Sequence, residues 1–414
     1  MSLQHSPGIV TNGLSFYYDM YNTEKSWKGE PVTNQFICPN PYDSNNNVSF
    51  NVNGTGTFQR VYSGTYGGYT IKPTDVVYRY NLGGNGCHYH GNSAAIASGQ
   101  YVCYSVDYYI SPDASDYPTD STLVVLENYG GSALGGGTGA GGNGIMGKWQ
   151  TIRGYSGPTS GSGTQAMFLY PGGCGNAYMA SRGFILMKNP MFEFRGDVRY
   201  NPFVNGTRSN TQAIRDLVGG NTITATSLTY NNDGTFKFDG VDDYIDSVIS
   251  SGLTGTGAWT MEVWFKVNGA PSNATYGNVI VDTDATGGSA NMIVVDYGGG
   301  HGGSQNQILY ATRPSTGGGY TLLGGSTITQ GIYYHAAVVR NGSTDTKLYI
   351  NGSLNNTYSG NMPTATQPLV RIGRWTDGTV YSNTTIPTVK IYNRPLSANE
   401  VAQNFAAQRG IYGL

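Results

Sequence analysis

The chain has 414 residues, of which 62 are glycine, 33 are tyrosine and only 12% are charged, and its net charge is −2. That length admits two or three domains, each with a core of its own. The near-zero charge excludes a basic footprint for nucleic acid or an anionic membrane, and no apolar run reaches the 18 or so residues of a membrane-spanning helix. Glycine, asparagine, serine and threonine in such numbers supply turns, while tyrosine with valine and isoleucine supplies strands. The composition is that of an all-β protein with an uncharged, hydroxyl-rich surface. The opening residues MSLQHSPGIVTNG lack the pattern of a secretory signal. With a composition suited to work outside cells, this points to the surface of a particle assembled in the cytosol and released by lysis, or else to a chain whose leader has been removed.

In chain order, a Thr-Asn-Gly turn precedes a strand at 14–19, which is too short to fold alone and must pair with something. Residues 36–195 form a block of short strands, at 58–62, 69–71, 76–80, 101–110, 122–126, 149–153, 166–170 and 184–187. Gly-Ser-Asn turns separate them, as in a β-sandwich. Within this block, residues 130–144 hold nine glycines in fifteen positions and read as a surface loop. Cys38, Cys87, Cys103 and Cys174 all lie in the first half. They allow three pairings, and in a cytosol-assembled particle free, buried thiols are expected. Residues 196–234 read as a connector with a short helix at 212–217.

The strongest periodic signal is WTMEVWFKV, residues 259–267. Trp259, Met261, Val263, Phe265 and Val267 share one face of a strand, and Thr260, Glu262, Trp264 and Lys266 share the other. This predicts a half-buried strand covered by a second sheet, with further strands at 235–247, 333–339 and 347–351. Asn351-Gly352 has the sequence of a tight hairpin, and Arg340-Asn341-Gly342 reads the same way. Only the tail is helical. Ser397-Ala398-Asn399-Glu400 is a capping box, Val401, Phe405 and Gln408 share a face, and Gly410 ends the element. The expected helix, 397–408, packs against the sandwich rim.

The segments FDGVDDYID, WTMEVWFKV, YYHAAVVRNG, KLYINGSL, VRIGRW and KIYNRPLSANEVAQNF resemble, in order and spacing, concanavalin-A-like and laminin-G-like jelly-roll domains. The last two are similar to the versions in tailed-phage structural proteins, as is the opening HSPGIVTNGLSFYYDMYNTEKSWKGEPVTNQF. Residues 36–195 resemble a carbohydrate-binding-module-type domain. The resemblance implies two β-sandwich (jelly-roll) domains, one of them discontinuous. Residues 1–35 would contribute a strand to the jelly roll at 235–414, or to a neighbouring subunit, with 36–195 inserted and 196–234 connecting.

Four constellations could carry chemistry. Jelly-roll glucanases place an E-x-D-x-x-E-like run on one strand, whereas this chain has six glutamates, Glu24, Glu30, Glu127, Glu193, Glu262 and Glu400, and no two are close in sequence. Glu262 reads as a solvated strand residue, and the pair Asp282/Asp284 lacks an identifiable general acid, so no catalytic residue is assigned. Asp239, Asp242 and Asp243, with Asp246 nearby, are calcium candidates in an oxygen-rich turn, although the same residues make a good structural turn. Cys87-His88-Tyr89-His90 reads as local strand structure rather than a metal site. Trp375 and Asp377 after a strand end, and Tyr297 and His301 in a glycine loop, are glycan-binding candidates at the rim. No other cofactor is expected. The expectation is therefore a non-enzymatic virion structural protein of a tailed phage, a head or tail fibre or a capsid decoration. It would form homo-oligomers or fibres with other virion proteins and bind surface glycans, without nucleic acid or membrane insertion. The rival is a secreted bacterial glycan-binding adhesin or extracellular filament subunit at the cell surface.

Overall fold

The computed structural model describes residues 8–23, 25–36, 50–52, 57–81, 87–90, 94–114, 122–129, 138–141, 145–169, 183–230, 235–249, 253, 257–283, 290–313, 320–361, 369–375 and 378–414. Among the described residues the fold is all-β with one short C-terminal α-helix. The chain divides into two compact units, Met1–Glu30 with Ser209–Leu414, and Pro31–Arg208.

In the first unit two sheets enclose one core. The eight-stranded sheet runs Thr229–Tyr230, Phe236–Asp239, Asn383–Tyr392, Trp259–Val267, Tyr333–Arg340, Thr346–Ile350 and Ser353–Tyr358, and Leu14–Asp19 also pairs with Asn383–Tyr392. The seven-stranded sheet runs Ile223–Thr226, Tyr244–Val248, Leu369–Ile372, Asn278–Asp282, Ala290–Val295, Gln307–Arg313 and Thr321–Thr327. Between them lie Phe16, Tyr18, Phe238, Met261, Val263, Phe265, Ile293, Tyr310, Val338, Ile372, Val389 and Ile391. Leu14–Asp19 pairs within its own chain, with Leu14 opposite Tyr392 and Asp19 opposite Thr388. Gly373 is required by packing: its φ is 81°, and the ring of Phe238 fills the space a Cβ would take.

The strand Trp259–Val267 forms where its period-two pattern places it, but it is buried on both faces. The half-buried expectation fails because the helix Ala398–Gln408 lies over the outer face instead of at the rim. Trp264 stacks on Phe405 at 5.5 Å and on Tyr412 at 4.2 Å between ring centroids. Ser397 caps the helix with the full capping box expected of it. The Asn351-Gly352 turn has both residues at positive φ, 49° and 76°, as a tight hairpin demands. Around Asn341 only Gly342 has positive φ, and the turn is longer, closed by the Asn341 N–H donating to the Asp345 carbonyl. No helix forms at 212–217. There the Lys28 N–H donates to the Ala213 carbonyl, and Ile214 bridges Trp27 in an extended pairing.

The second unit has a five-stranded sheet, Trp149–Ser156, Tyr101–Ile110, Phe184–Arg195, Val77–Asn81 and Thr57–Val61. Its six-stranded sheet contains Thr138–Gly141, Thr122–Tyr129, Gly163–Leu169, Cys87–His90 and Phe50–Val52, with Ala94–Ile96 also paired to Gly163–Leu169. Val102, Tyr104, Val106, Tyr108, Ile185, Met187 and Phe192 anchor its core. Part of the glycine-rich segment, Thr138–Gly141, pairs with Thr122–Leu126 rather than looping, because backbone pairing needs no side chains. Cys103 is a buried free thiol. Cys38 and Cys174 lie outside the described residues.

The unit boundaries fall at 30/31 and 208/209. Asn34 lies just inside the first of them. Its Nδ2 donates to the carbonyls of Pro190 and Val204, and its Oδ1 accepts from the N–H groups of Phe36 and Phe192. With the short pairing of Val32–Thr33 to Thr207–Arg208, this stitches the entering and leaving segments of the middle unit together. Replacing residues 31–208 by a short glycine-serine linker is therefore expected to leave a jelly roll that melts cooperatively, with a β-type circular-dichroism spectrum. A spectrum of an unfolded chain would count against two self-sufficient cores.

Candidate functional site

Three groups of side chains in the jelly roll were candidates for chemistry, and the fold treats each differently. The strand Phe236–Asp239 ends in Gly240, with φ 86°, and the chain turns back into Tyr244–Val248. The turn brings carboxylate oxygens of Asp239, Asp242 and Asp243 within 4.8 Å of one another. Asp243 is fully buried, and its Oδ2 accepts the Asp239 N–H at 2.7 Å, while Asp239 Oδ1 accepts the Val241 N–H. The second Asp243 oxygen, Oδ1, is buried without a hydrogen-bond partner. Burial, reinforced by the neighbouring Asp239 and Asp242 carboxylates, pushes Asp243 up to about 7. Three crowded carboxylates with an orphaned buried oxygen can hold a metal ion, and an oxygen donor set suits a hard cation.

The glycan candidates His301 and Trp375 do come together, with ring centroids 5.8 Å apart, but they are not at an open rim. Asp296 accepts the N–H groups of Gly299 and Gly303, folding the glycine loop back over the sheet. His301 and Trp375 then pack with Tyr276 and Tyr320. Together they cap an apolar patch of Val279, Met292, Val294, Leu309 and Val380 on the outer face of the seven-stranded sheet. His301 is 4% exposed and Trp375 8%, so neither offers a ring face to a sugar. Burial also holds the His301 imidazole below its usual value. Tyr297 is half-buried, and Asp377 lies outside the described residues.

Glu262 corrects the sequence reading most sharply, for it is fully buried rather than solvated. Its Oε2 accepts from Asn404 Nδ2 at 2.8 Å and from Lys390 Nζ at 3.4 Å, and its Oε1 lies 3.9 Å from His335 Nε2. Asn404 comes from the C-terminal helix and also donates to the Tyr392 hydroxyl, and its Oδ1 accepts the Val10 N–H. Burial raises Glu262 and lowers Lys390, and each partner resists the other's neutralisation. Burial, and then the Lys390 ammonium, hold His335 well below its ordinary value, so it is neutral in the fold. This cluster is sealed from solvent and fastens the helix.

Sequence reasoning missed a polar row on the other half of the seven-stranded sheet. Tyr244 and Asp246 point away from the core in YIDSV, and Asp246 sits opposite Arg371 in the register. Arg374 donates to Asp246 Oδ2 at 2.8 Å and lies 3.5 Å from the centroid of the Tyr244 ring. The alternation in YIDSV was the available signal, but it had been absorbed into the reading of Asp246 as one more acid of the turn.

Residues 239–402 match the profile of the concanavalin A-like lectin/glucanases superfamily. Among solved structures, the chain is similar to the receptor-binding domain of botulinum neurotoxin D, at 14% identity over 49% of this chain and 51% of that one, with TM-score 0.38. It is likewise similar to the binding domain of botulinum neurotoxin serotype G, at 14% identity over 48% and 49%, with TM-score 0.37. A third is the binding domain of botulinum neurotoxin DC in complex with rat synaptotagmin II, at 12% identity over 48% and 49%, with TM-score 0.36. The chain thus spans about half the length of these structures, and the likeness is one of fold. No curated protein matches the chain.

A histidine kept neutral by burial takes up its proton more readily once unfolded. His335 therefore contributes stability that is present above pH 6.5, its ordinary value, and drains away as the pH falls below it. Glu262, raised by burial, acts in the opposite sense. A His335→Phe variant is expected to lose less melting temperature than the wild type between pH 7.5 and 5. Parallel melting curves for the two would remove His335 from the account.

Proposed function

We propose that this chain is a non-enzymatic structural protein of a tailed-phage particle, a head or tail fibre or a capsid decoration. It assembles with copies of itself at the virion surface and contacts surface glycans. The observation that carries the reading is a lectin-like jelly roll whose central-strand glutamate is sealed beneath its own C-terminal helix. Glycoside hydrolysis calls for two carboxylates flanking a sugar bond. Glu262 cannot reach one, and the three aspartates crowd together too closely to leave room for a ring between them. The resemblance of the first and last segments to tailed-phage proteins supports the particle assignment. Repetition of the chain on a particle would make weak single sites sufficient.

Antibody labelling of native particles is expected to mark the virion surface, and the purified chain is expected to bind glycans without releasing reducing ends from mixed polysaccharides. Reducing-sugar release would overturn the non-enzymatic reading, and labelling confined to cell-surface filaments would overturn the particle assignment.

In this reading Asp239, Asp242 and Asp243 take calcium, which supplies charge to the ionised carboxylates and locks the turn. Asp243, with a folded value of about 7 against 3.8 in its ordinary state, makes the metal-free fold less stable above pH 7 than below it. Calcium reverses that order. Added calcium is expected to raise the melting temperature at pH 8 and to have little effect at pH 5.5. Asp243→Asn should abolish the rise. A wild type whose melting point is indifferent to calcium at pH 8 would remove the ion.

A further inference from the structure

The seven-stranded sheet has an outer face of two halves. Loops and the Trp375 cluster cover one half. On the other, where Ile223–Thr226, Tyr244–Val248 and Leu369–Ile372 run side by side, a cavity of about 540 Å³ opens. It is lined by Thr222, Thr224, Asp246, Val248 and Leu369 and walled by Gly220 and Asn221. None of the glycan candidates suggested by the sequence belongs to it.

The cross-strand register explains its chemistry. Thr224 pairs with Asp246 and Asp246 with Arg371, giving a polar row. One step towards the strand ends, Val248 pairs with Leu369, giving an aliphatic step beside Thr222. Val248 is 62% exposed, so its side chain is available to a ligand. Among the described residues, no protein group takes up the hydroxyls of Thr222 and Thr224.

The walls are held in place from behind. Asn221 Nδ2 donates to the Ser15 carbonyl and to Asp216 Oδ2 at 2.6 Å, and Asp216 Oδ1 accepts the Tyr17 N–H. The Ser247 hydroxyl donates to the Thr222 carbonyl. Asp246 is fixed by Arg374, itself laid over Tyr244. The site is thus built before any ligand arrives, which lowers the entropic cost of binding.

We infer that this cavity binds an uncharged hexopyranose, as the terminal ring of a surface polysaccharide. The volume falls within the roughly 300–1,000 Å³ usual for ligand pockets. Two threonine hydroxyls match sugar hydroxyls, and the Val248–Leu369 step matches the C–H face of a pyranose. The lining selects for neutrality. Its only charged residue is Asp246, held by Arg374 at 2.8 Å and Arg371 at 3.7 Å, neither of which lines the cavity, so an anionic sugar finds no cation there and a cation finds the carboxylate taken.

The inference rests on the glycan-binding reading above and names its site. The full-length chain would be screened by saturation-transfer NMR against neutral methyl hexopyranosides, with methyl glucuronide as the charged control. At least one neutral pyranoside is expected to bind and the glucuronide not to. Thr224→Val, which keeps the shape and removes one hydroxyl, is expected to weaken binding about tenfold, the scale of one hydrogen bond. Thr222→Tyr, which fills the mouth, should abolish binding with the melting temperature unchanged. If the wild type binds and both variants bind equally well, the cavity is not the site, although the glycan-binding reading stands. Preference for the glucuronide overturns the neutral assignment. A wild type that binds none of the sugars overturns both readings.

Discussion

The strand Trp259–Val267 is covered on both sides, and much else in the jelly roll follows from that. Its inner face joins the core between the sheets. Its outer face carries Glu262 and Trp264, and neither can be left half covered. A buried carboxylate stripped of its partners destabilises a fold by about 3–5 kcal/mol, so the helix must arrive with Asn404 over Glu262. Gln408 must also accept the Trp264 indole N–H, which it does at 3.1 Å. The same Asn404 takes the Val10 N–H, and the Tyr392 hydroxyl donates to the Val10 carbonyl. One buried charge thus sets the helix and the opening segment of the chain together.

This arrangement separates the work of the two sheets. The eight-stranded sheet commits its outer face to the helix and the N-terminal segment, and its acid to structure. The seven-stranded sheet covers only part of its outer face, where alternate residues such as Val279, Met292 and Leu309 are apolar and need the Trp375 cluster over them. Where the alternate residues are Thr224, Tyr244, Asp246 and Arg371, the face stays open.

Much of the fold was legible because it is written locally. The strand LSFYYD after its turn, the period-two alternation of WTMEVWFKV and the capping box at Ser397 each involve neighbours in sequence, and each forms with the bounds its pattern implies. What was not legible depends on which distant segment covers a face. Thr260, Glu262 and Trp264 look like an exposed face until a helix more than a hundred residues later lies across them. Trp375 and His301 look like a rim site because an aromatic ring beside glycines has the same sequence whether it faces solvent or roofs an apolar patch. The cavity was beyond reach for the same reason, since its residues come from three separated stretches, 220–224, 246–248 and 369. Calling 212–217 a helix failed where a pairing with Trp27 outweighed local propensity.

The clamp formed by Asn34 and by the pairing of Val32–Thr33 with Thr207–Arg208 also bears on how so long an interruption is tolerated. A disordered insert of that length would charge the jelly roll the full entropy of closing a wide loop. A block whose two ends are already fastened side by side behaves, for the host, like a tight turn, at a saving of roughly 3 kcal/mol. Strand Leu14–Asp19 can then find Asn383–Tyr392 as though about half of the intervening residues were absent.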